Sequence, residues 1–517
     1  MQALFLQKRH PQASPLYARI EGMSLLKRGW GRVILGIGIL LGFYAFTRLL
    51  NLTFLPIFTD EAIYIRWSQI GANDASWRFI SLTDGKQPLF TWVIMALLRF
   101  VPGDPLLAGR LASVATGAVS LVGMWFLAWE LFKNKRVAWI SSILYLVSPF
   151  ALVYDRMALY DSMVATFFIW NLYIAIRLVR EVRLDLALIF GMTLGAGMLN
   201  KTSGFISVYL LPATFLLAKK KIGKWVLLVI LSLVLSQVFY SVLRLSPFFH
   251  MIAQKDAVFV YPLSEWIKHP FDFLQGNLSG LFDWLRGYLT LPIFIASFAP
   301  IVAFWNKPKE KLLLYICWFA PFVGLALLGR VLFPRFIFFM TMPLLVLAAV
   351  SIDWILARVN VNLWKYAVLA TLFFPSLWTD YFIITNPLHA PIPYADKGQY
   401  IDNWPAGWGV REVTAFLTTE SQKGPVALYT EGTFGLLPAA IEMYFTDNKK
   451  VSIYGIWPLP EEIPDEIQES VEKMPTYLIV NQSNKAPDWP IELLAKYQKG
   501  NRTDRSLRLY RVLHPSI

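Results

Sequence analysis

Val33-Ile34-Leu35-Gly36-Ile37-Gly38-Ile39-Leu40-Leu41 opens an apolar run that continues to Leu55, and Phe58-Thr59-Asp60-Glu61-Ala62 follows almost at once. The run is long enough to cross a bilayer as a helix. A carboxylate pair at the mouth of such a helix is costly to keep near hydrocarbon and marks function more often than structure. Asp84-Gly85-Lys86-Gln87-Pro88 closes the same loop. Asp155-Arg156, followed by Asp161, comes at the end of a later apolar run. Charge therefore gathers on one side of the membrane, where a reaction could be run.

Of 517 residues, 56% are hydrophobic and 16% charged, with 38 Phe, 22 Tyr and 20 Trp. That balance, with so many long apolar runs, excludes a wholly soluble protein and gives a polytopic α-helical membrane protein. The net charge of +14 lies largely in short loops between apolar runs, so the positive-inside bias explains it and no nucleic acid partner is needed. The single cysteine, Cys317, sits in an apolar run and leaves no disulfide framework or Cys-based metal site. His250, His269 and His389 are too scattered for a metal set, so no metal is expected. The segment 1–32 is polar and basic, and no small-residue cleavage motif follows it, which argues against a cleavable signal peptide.

Spanning helices are expected at 33–55, 105–131, 137–153, 162–180, 184–200, 204–218, 225–243, 288–305, 312–328, 334–350 and 365–384, about eleven in all. Lys8, Arg9, Arg19, Lys27, Arg28 and Arg32 share one side with Lys133, Lys135 and Arg136. Arg177, Arg180 and Arg183, then Lys219, Lys220, Lys221 and Lys224, then Lys307, Lys309 and Lys311 join them. That side is read as the cytoplasm. Leu89–Val101 is too short to span and is expected in the outer interface. The three acidic clusters, Arg330, Arg335 and the loop 244–287 then share the extracytoplasmic face of the cell membrane.

The chain divides into a cytoplasmic segment 1–32, a transmembrane domain 33–385 with a first outer loop 56–104, and a domain 386–517. Pro387, Pro391, Pro393 and Pro405 mark a linker into that last part. Beyond it, strands are expected at 425–430, 451–456, 476–480 and 507–513, with helices at 436–445, 461–472 and 491–497. The alternation predicts a small extracytoplasmic α/β domain. The loop Thr430-Glu431-Gly432-Thr433-Phe434-Gly435 lacks the spacing of a phosphate-binding motif and reads as a tight turn.

A lysine and arginines at an outer surface can neutralise a phosphate carried on a lipid, and an ionised Asp can take a proton from an attacking hydroxyl. The residues also resemble a family. Thr59-Asp60-Glu61-Ala62-Ile63-Tyr64 is similar to the first-loop Asp-Glu motif of GT-C class membrane glycosyltransferases, within them the protein O-mannosyltransferase and lipid A aminoarabinose transferase group. Asp84-Gly85-Lys86-Gln87-Pro88 resembles their Lys-Pro element, with Gln87 inserted. Gly109-Arg110-Leu111 resembles the Arg-Leu pair that opens their next helix, and Arg156–Asp161 their second acidic motif. Gly195–Lys201 resembles a Gly-rich helix ending in Thr-Lys-Gly, from which Asn200 and Thr202 depart.

The resemblance, which covers about residues 33–350, implies inverting transfer of a sugar from a polyprenyl-phosphate donor to a protein, lipid or glycan acceptor, without a cofactor. It makes Asp60 the general base, with Glu61 and Asp161 orienting the acceptor and holding the loop. Lys86, Arg335 and Lys201 would meet the donor phosphate, with Asp155, Arg156 and Arg330 as further candidates. Plainer roles exist for each. Asp60-Glu61 and Asp161 suit helix N-termini, Asp155-Arg156 a surface ion pair, and Arg330 and Arg335 interfacial anchors. The competing function is a transporter or flippase of a lipid-linked glycan. Transporters keep ionisable residues near the midplane and show inverted repeats, whereas these charges sit at one end.

Overall fold

In lipid every backbone polar group must be satisfied within its own segment, so the apolar runs form helices. The computed structural model describes residues 15–218, 221–303 and 306–514. Lys8, Arg9, Lys219 and Lys220 lie outside the described residues, as do the side chains of Arg19, Lys27 and Arg28. Seven described helices are long and apolar enough to cross a membrane, and two bent pairs raise the number to nine. The protein is a multi-pass membrane protein. Of the eleven expected spans, 184–200 forms as an apolar helix with its expected bounds, a little below that length, and 204–218 does not form as one helix. Leu184–Asn200 has 17 residues, and Thr202–Leu217 breaks into short turns. Lys201 is extended there, and Gly204 packs so closely on Gly197 that an added Cβ would lie 2.3 Å from its carbonyl oxygen.

Two other expected spans are displaced or bent. The one placed at 334–350 begins at Thr341, because Pro334–Ile337 forms a separate 3₁₀ turn. The one placed at 288–305 is part of the pair Leu274–Leu289 and Leu291–Val302, bent by 109° just before Pro292. Leu89–Leu98 forms a short apolar helix of ten residues.

The first helix, α1 (Pro15–Leu49), ends before the expected limit at Leu55. Its last carbonyls are taken by one guanidinium. Arg156 donates to Thr47 O, Arg48 O, Leu50 O and Asn51 O at 2.7–2.9 Å. A cation at the C-terminal end satisfies both the orphan carbonyls and the helix dipole. The chain then turns into α2 (Thr59–Asn73), α3 (Leu89–Leu98) and α4 (Pro105–Phe132). A bent pair, α5 (Lys135–Leu146) and α6 (Pro149–Asp155), leads to α7 (Tyr160–Glu181) and α8 (Leu184–Asn200).

Small residues let α4 and α7 approach, as they do between membrane helices. Ser120 and Thr166 share a hydrogen bond of 2.8 Å, and a Cβ on Gly123 would lie 2.8 Å from Ile169. Both helices start beside Asp60 and end among Lys133, Arg180, Glu130 and Glu310, whose ion pairs span 2.6–3.1 Å. With 28 residues, α4 separates the two clusters by roughly 40 Å. The acidic site and the basic loops therefore occupy opposite ends of the bundle.

One ion pair fixes the site end. Glu61 and Arg110 are both fully buried, with Arg110 Nε 2.9 Å from Glu61 Oε1 and Nη2 2.8 Å from Oε2. Arg110 also donates to Leu52 O, Leu55 O and Pro56 O at 2.8–3.1 Å. Glu61 accepts from Phe58 N at 2.9 Å and Ala158 N at 2.7 Å. Gly109 makes this approach possible, since a Cβ there would lie 2.7 Å from Ile65. The pair thus pins α2, α4, the 52–58 turn and the α6–α7 turn together.

The C-terminal part forms a five-stranded sheet in the order β2-β1-β3-β5-β4. Its strands are β1 (Val426–Glu431), β2 (Val451–Ile456), β3 (Thr476–Val480), β4 (Ile491–Lys499) and β5 (Arg502–Val512). β1 runs parallel to β2 and β3, and every residue of β1 is buried. The helix expected at 491–497 is instead β4. It pairs antiparallel with β5 through a hairpin at Gly500, whose φ of +53° suits a glycine. Tertiary pairing here overrides the helix-forming Glu-Leu-Leu-Ala-Lys stretch. The helix expected at 436–445 shrinks to Ala439–Glu442, and the helix Val410–Lys423 was not anticipated. The domain rests on α2: Arg66 Nε lies 2.8 Å from Glu442, Gln69 donates to Met443 O at 2.8 Å, and Thr59 N to Pro405 O at 3.1 Å.

Breaking a buried ion pair by removing one partner typically costs roughly 3–5 kcal/mol, whereas replacing both with apolar groups is much cheaper. Arg110→Met is expected to lower the melting temperature in detergent sharply, with Glu61→Leu in the same chain recovering most of the loss. A single variant that melts like wild type would contradict the role given to this pair.

Candidate active site

Successive residues on a helix point about 100° apart, so Asp60 and Glu61 in the first turn of α2 serve different surroundings. Glu61 turns inward to Arg110 and accepts from the amide of Phe58, the residue just before α2. Asp60 faces Arg335 and Lys86. Its Oδ2 lies 3.0 Å from Arg335 Nη1 and 3.8 Å from Lys86 Nζ. Burial pushes the Asp60 carboxyl up, but Lys86, Arg335 and a hydrogen bond from Tyr64 outweigh it and hold the group at about 2.

Lys86 is aimed by a tight turn. Gly85 has φ +66°, and a Cβ there would lie 2.4 Å from Met251 O, so a glycine is needed. Lys86 N closes the turn on Ser81 O at 2.9 Å, and the side chain reaches back to α2, donating to Tyr64 at 2.6 Å. Asp84, 3.8 Å from Lys86, is itself paired with Lys255 at 2.7 Å. Burial lowers the Lys86 ammonium, and Asp60 and Asp84 partly restore it. The inserted Gln87 has a partner: its amide donates to Thr202 at 2.7 Å. Two departures from the family pattern, Gln87 and Thr202, thus meet each other.

Arg335 sits on the Pro334–Ile337 turn and is mostly buried among three rings. Its guanidinium lies 5.6 Å from the Phe58 centroid, 4.9 Å from Phe333 and 5.9 Å from Phe336. Across Phe336, Lys201 lies 5.1 Å from the same ring and pairs with Asp161 at 2.7 Å. Asp161 opens α7 and Lys201 ends α8, so the bundle brings them together from 40 residues apart.

Asp60, Lys86, Arg335, Asp161 and Lys201 therefore gather at one end of the bundle; the other candidates do not. Asp155 and Arg156 are buried and do not pair with each other as a surface bridge would. Asp155 accepts from Ser162 at 2.7 Å and Tyr145 at 3.0 Å and lies 3.7 Å from Arg48, while Arg156 caps α1. Arg330 is exposed, with its amide on Phe259 O at 2.8 Å and its guanidinium 5.7 Å from the Tyr261 ring, an anchoring position. Glu61 has both oxygens engaged, by Phe58 N, Ala158 N and the Arg110 guanidinium.

Two groups were missed in the sequence. Tyr64 stood in the motif without a role. Asp396 lay in a stretch read only as a linker, where nothing local signals a buried acid. It is fully buried, and its Oδ2 accepts from Tyr154 at 2.5 Å and from Tyr288. Burial pushes the Asp396 carboxyl up to about 6 against those hydrogen bonds. Tyr400, four residues on, meets Phe58 edge-on at 4.8 Å. The linker thus forms the wall behind Arg335. Among the described residues, no three His, Cys, Asp or Glu side chains gather as metal ligands would.

Residues 85–243 match the family described as dolichyl-phosphate-mannose-protein mannosyltransferase. A comparison with curated proteins gives no match. Among solved structures, ArnT from Cupriavidus metallidurans in the apo state aligns with a TM-score of 0.56 at 16% identity, covering 94% of this chain and 99% of that one. The same protein bound to undecaprenyl phosphate aligns at 0.57 and 16% identity, covering 94% and 98%. This chain shares that fold. The Archaeoglobus fulgidus oligosaccharyltransferase, in complex with Zn and sulfate, shares it at 0.52 and 13% identity over 86% of this chain and 68% of that one. The likeness expected from the sequence is met by a shared fold along 94% of the chain.

A carboxyl held at about 2 in the fold, against about 3.9 unfolded, adds stability that is full above pH 4 and lost as pH falls through 2. Asp60→Asn is therefore expected to melt below wild type at neutral pH, with the gap beginning to close below about pH 4. Melting curves of both proteins across pH 3–7 check this, and a gap independent of pH would refute it.

Proposed function

We propose that this chain is an inverting glycosyltransferase that moves a sugar from a polyprenyl-phosphate donor to an acceptor hydroxyl on the extracytoplasmic face of the cell membrane. The observation that carries this reading is the contact of Asp60 with both Lys86 and Arg335, which come from three separate parts of the chain. Two cations and one carboxylate in a mostly buried pocket suit a reaction that needs a base at one atom and an anion site beside it. ArnT, which shares the fold, has been crystallised with undecaprenyl phosphate, and the matching family is named for a dolichyl-phosphate donor. The basic loops at the far end of α4 support an outward-facing site by the positive-inside rule.

In the proposed step the acceptor oxygen attacks the anomeric carbon from the face opposite the phosphate. Its proton passes to Asp60 as the new C–O bond forms. The bond from the anomeric carbon to the phosphate oxygen breaks, and its electron pair leaves with the phosphate. Negative charge grows there, and Lys86 and Arg335, fixed and poorly solvated, stabilise it more than the ground state. Asp161 and Lys201 flank the same pocket, Asp161 on the acceptor and Lys201 as a further phosphate contact. Glu61 acts by position, holding α2 through Arg110. The anomeric configuration inverts because a single displacement occurs.

With a polyprenyl-phosphate sugar as donor, Asp60→Asn is expected to lower turnover on the order of 10²–10⁴-fold, the usual loss of a general base. Lys86→Met and Arg335→Leu are expected to weaken donor binding as well as turnover, with acceptor affinity close to unchanged. Titrating the donor against each purified variant decides it. Near-normal turnover in Asp60→Asn would leave that carboxylate a structural group.

A further inference from the structure

Tyr64 lies four residues beyond Asp60 on α2, so the two side chains share a face. Its ring is enclosed, with Tyr160 edge-on at 4.7 Å, Trp67 at 5.9 Å and Phe90 edge-on at 6.4 Å. A buried tyrosine hydroxyl requires polar partners. Here Lys86 Nζ donates to it at 2.6 Å, and Asp60 stands on the same face of α2. An ammonium only donates, so the hydroxyl oxygen accepts and its own proton is left for an anion such as the Asp60 carboxylate.

The anions near Lys86 are held further off. Asp60 and Asp84 each lie 3.8 Å from Nζ, outside hydrogen-bond range, while the cations Lys255 and Arg335 act on it from other sides. The hydroxyl of Tyr64 is therefore what fixes the position of the ammonium. Tyr64 itself faces Asp60, Tyr160, Arg335 and Asp161.

We infer that Tyr64 is a positioning residue that aims the Lys86 ammonium at the donor phosphate and couples donor docking to Asp60. This rests on the reading of Lys86 as a phosphate ligand. When a phosphate arrives, its oxygens take over Lys86 and Arg335, the two cations that hold Asp60 acidic. Their field at Asp60 is then neutralised, and the carboxylate accepts the acceptor proton more readily. The Tyr64 hydroxyl, relieved of the ammonium, turns its proton to Asp60 and orients the base. The base is thus weak in the empty site and strengthened once donor is bound.

The test uses the full chain in detergent, with undecaprenyl phosphate as the probe, titrated from pH 5 to pH 10 against wild type, Tyr64→Phe, Lys86→Met and Lys86→Arg. Wild type is expected to bind with an alkaline limb where Lys86 loses its proton. Tyr64→Phe removes one oxygen and should weaken binding on the order of 10-fold, the loss of one hydrogen bond to a charged group. It should also move the limb to lower pH, because the ammonium has lost the acceptor that favours its charged form. A purely structural role would weaken binding equally at every pH. Lys86→Arg keeps its charge throughout and should abolish the limb, which holds even if Tyr64→Phe folds poorly. A limb that persists in Lys86→Arg, or stays in place in a folded Tyr64→Phe, overturns the coupling while leaving a phosphate role for Lys86 standing if Lys86→Met loses binding. Absence of saturable binding to wild type overturns both.

Discussion

The buried contact between Glu61 and Arg110 is the constraint from which the site follows. A guanidinium has five N–H donors, and here all of them are used: two on the carboxylate and three on Leu52 O, Leu55 O and Pro56 O. Lysine could not reproduce that fork. The carboxylate in turn accepts from the amides of Phe58 and Ala158, so a group expensive to bury has every lone pair directed at a donor. What the pair achieves is geometric. It sets the first turn of α2 against α4 and against the turn before α7, and this fixes the direction in which Asp60 points.

Neighbouring carboxylates thereby divide two kinds of work. Glu61 is turned into the protein and is structural. Asp60, one residue earlier, is turned toward Arg335 and Lys86 at 3.0 and 3.8 Å. The pocket keeps one positive charge in excess, two cations against one carboxylate beside a neutral Asp84–Lys255 pair. In the proposed reaction an incoming phosphate competes with Asp60 for the same cations. That competition would link holding a donor to readying a base, and it requires the low dielectric of a mostly buried site.

Much of this was legible in the sequence. Apolar run length and basic loops gave the membrane class and the opposite ends of the bundle, and the charge clusters together with the family resemblance gave Asp60, Lys86, Arg335, Asp161 and Lys201 among the candidates. Local pattern could not show what long-range partners decide. Arg156 resembled a member of the acidic motif, yet it caps α1 from 105 or more residues away. The span at 204–218 was apolar enough but breaks into short turns after the extended Lys201 and the tight approach of Gly204. Ile491–Lys499 carries helix-forming residues, and only its pairing with β5 makes it a strand. Asp396 was invisible because its partners, Tyr154 and Tyr288, lie more than 100 residues upstream.

The most direct test of the central claim is a structure of the full chain with undecaprenyl phosphate bound. The account predicts phosphate density in contact with Lys86 Nζ and the Arg335 guanidinium, with the Asp60–Arg335 contact lengthened from 3.0 Å and Asp60 open toward the acceptor side. Phosphate density elsewhere on the bundle, with Asp60, Lys86 and Arg335 still paired as in the empty site, would contradict it.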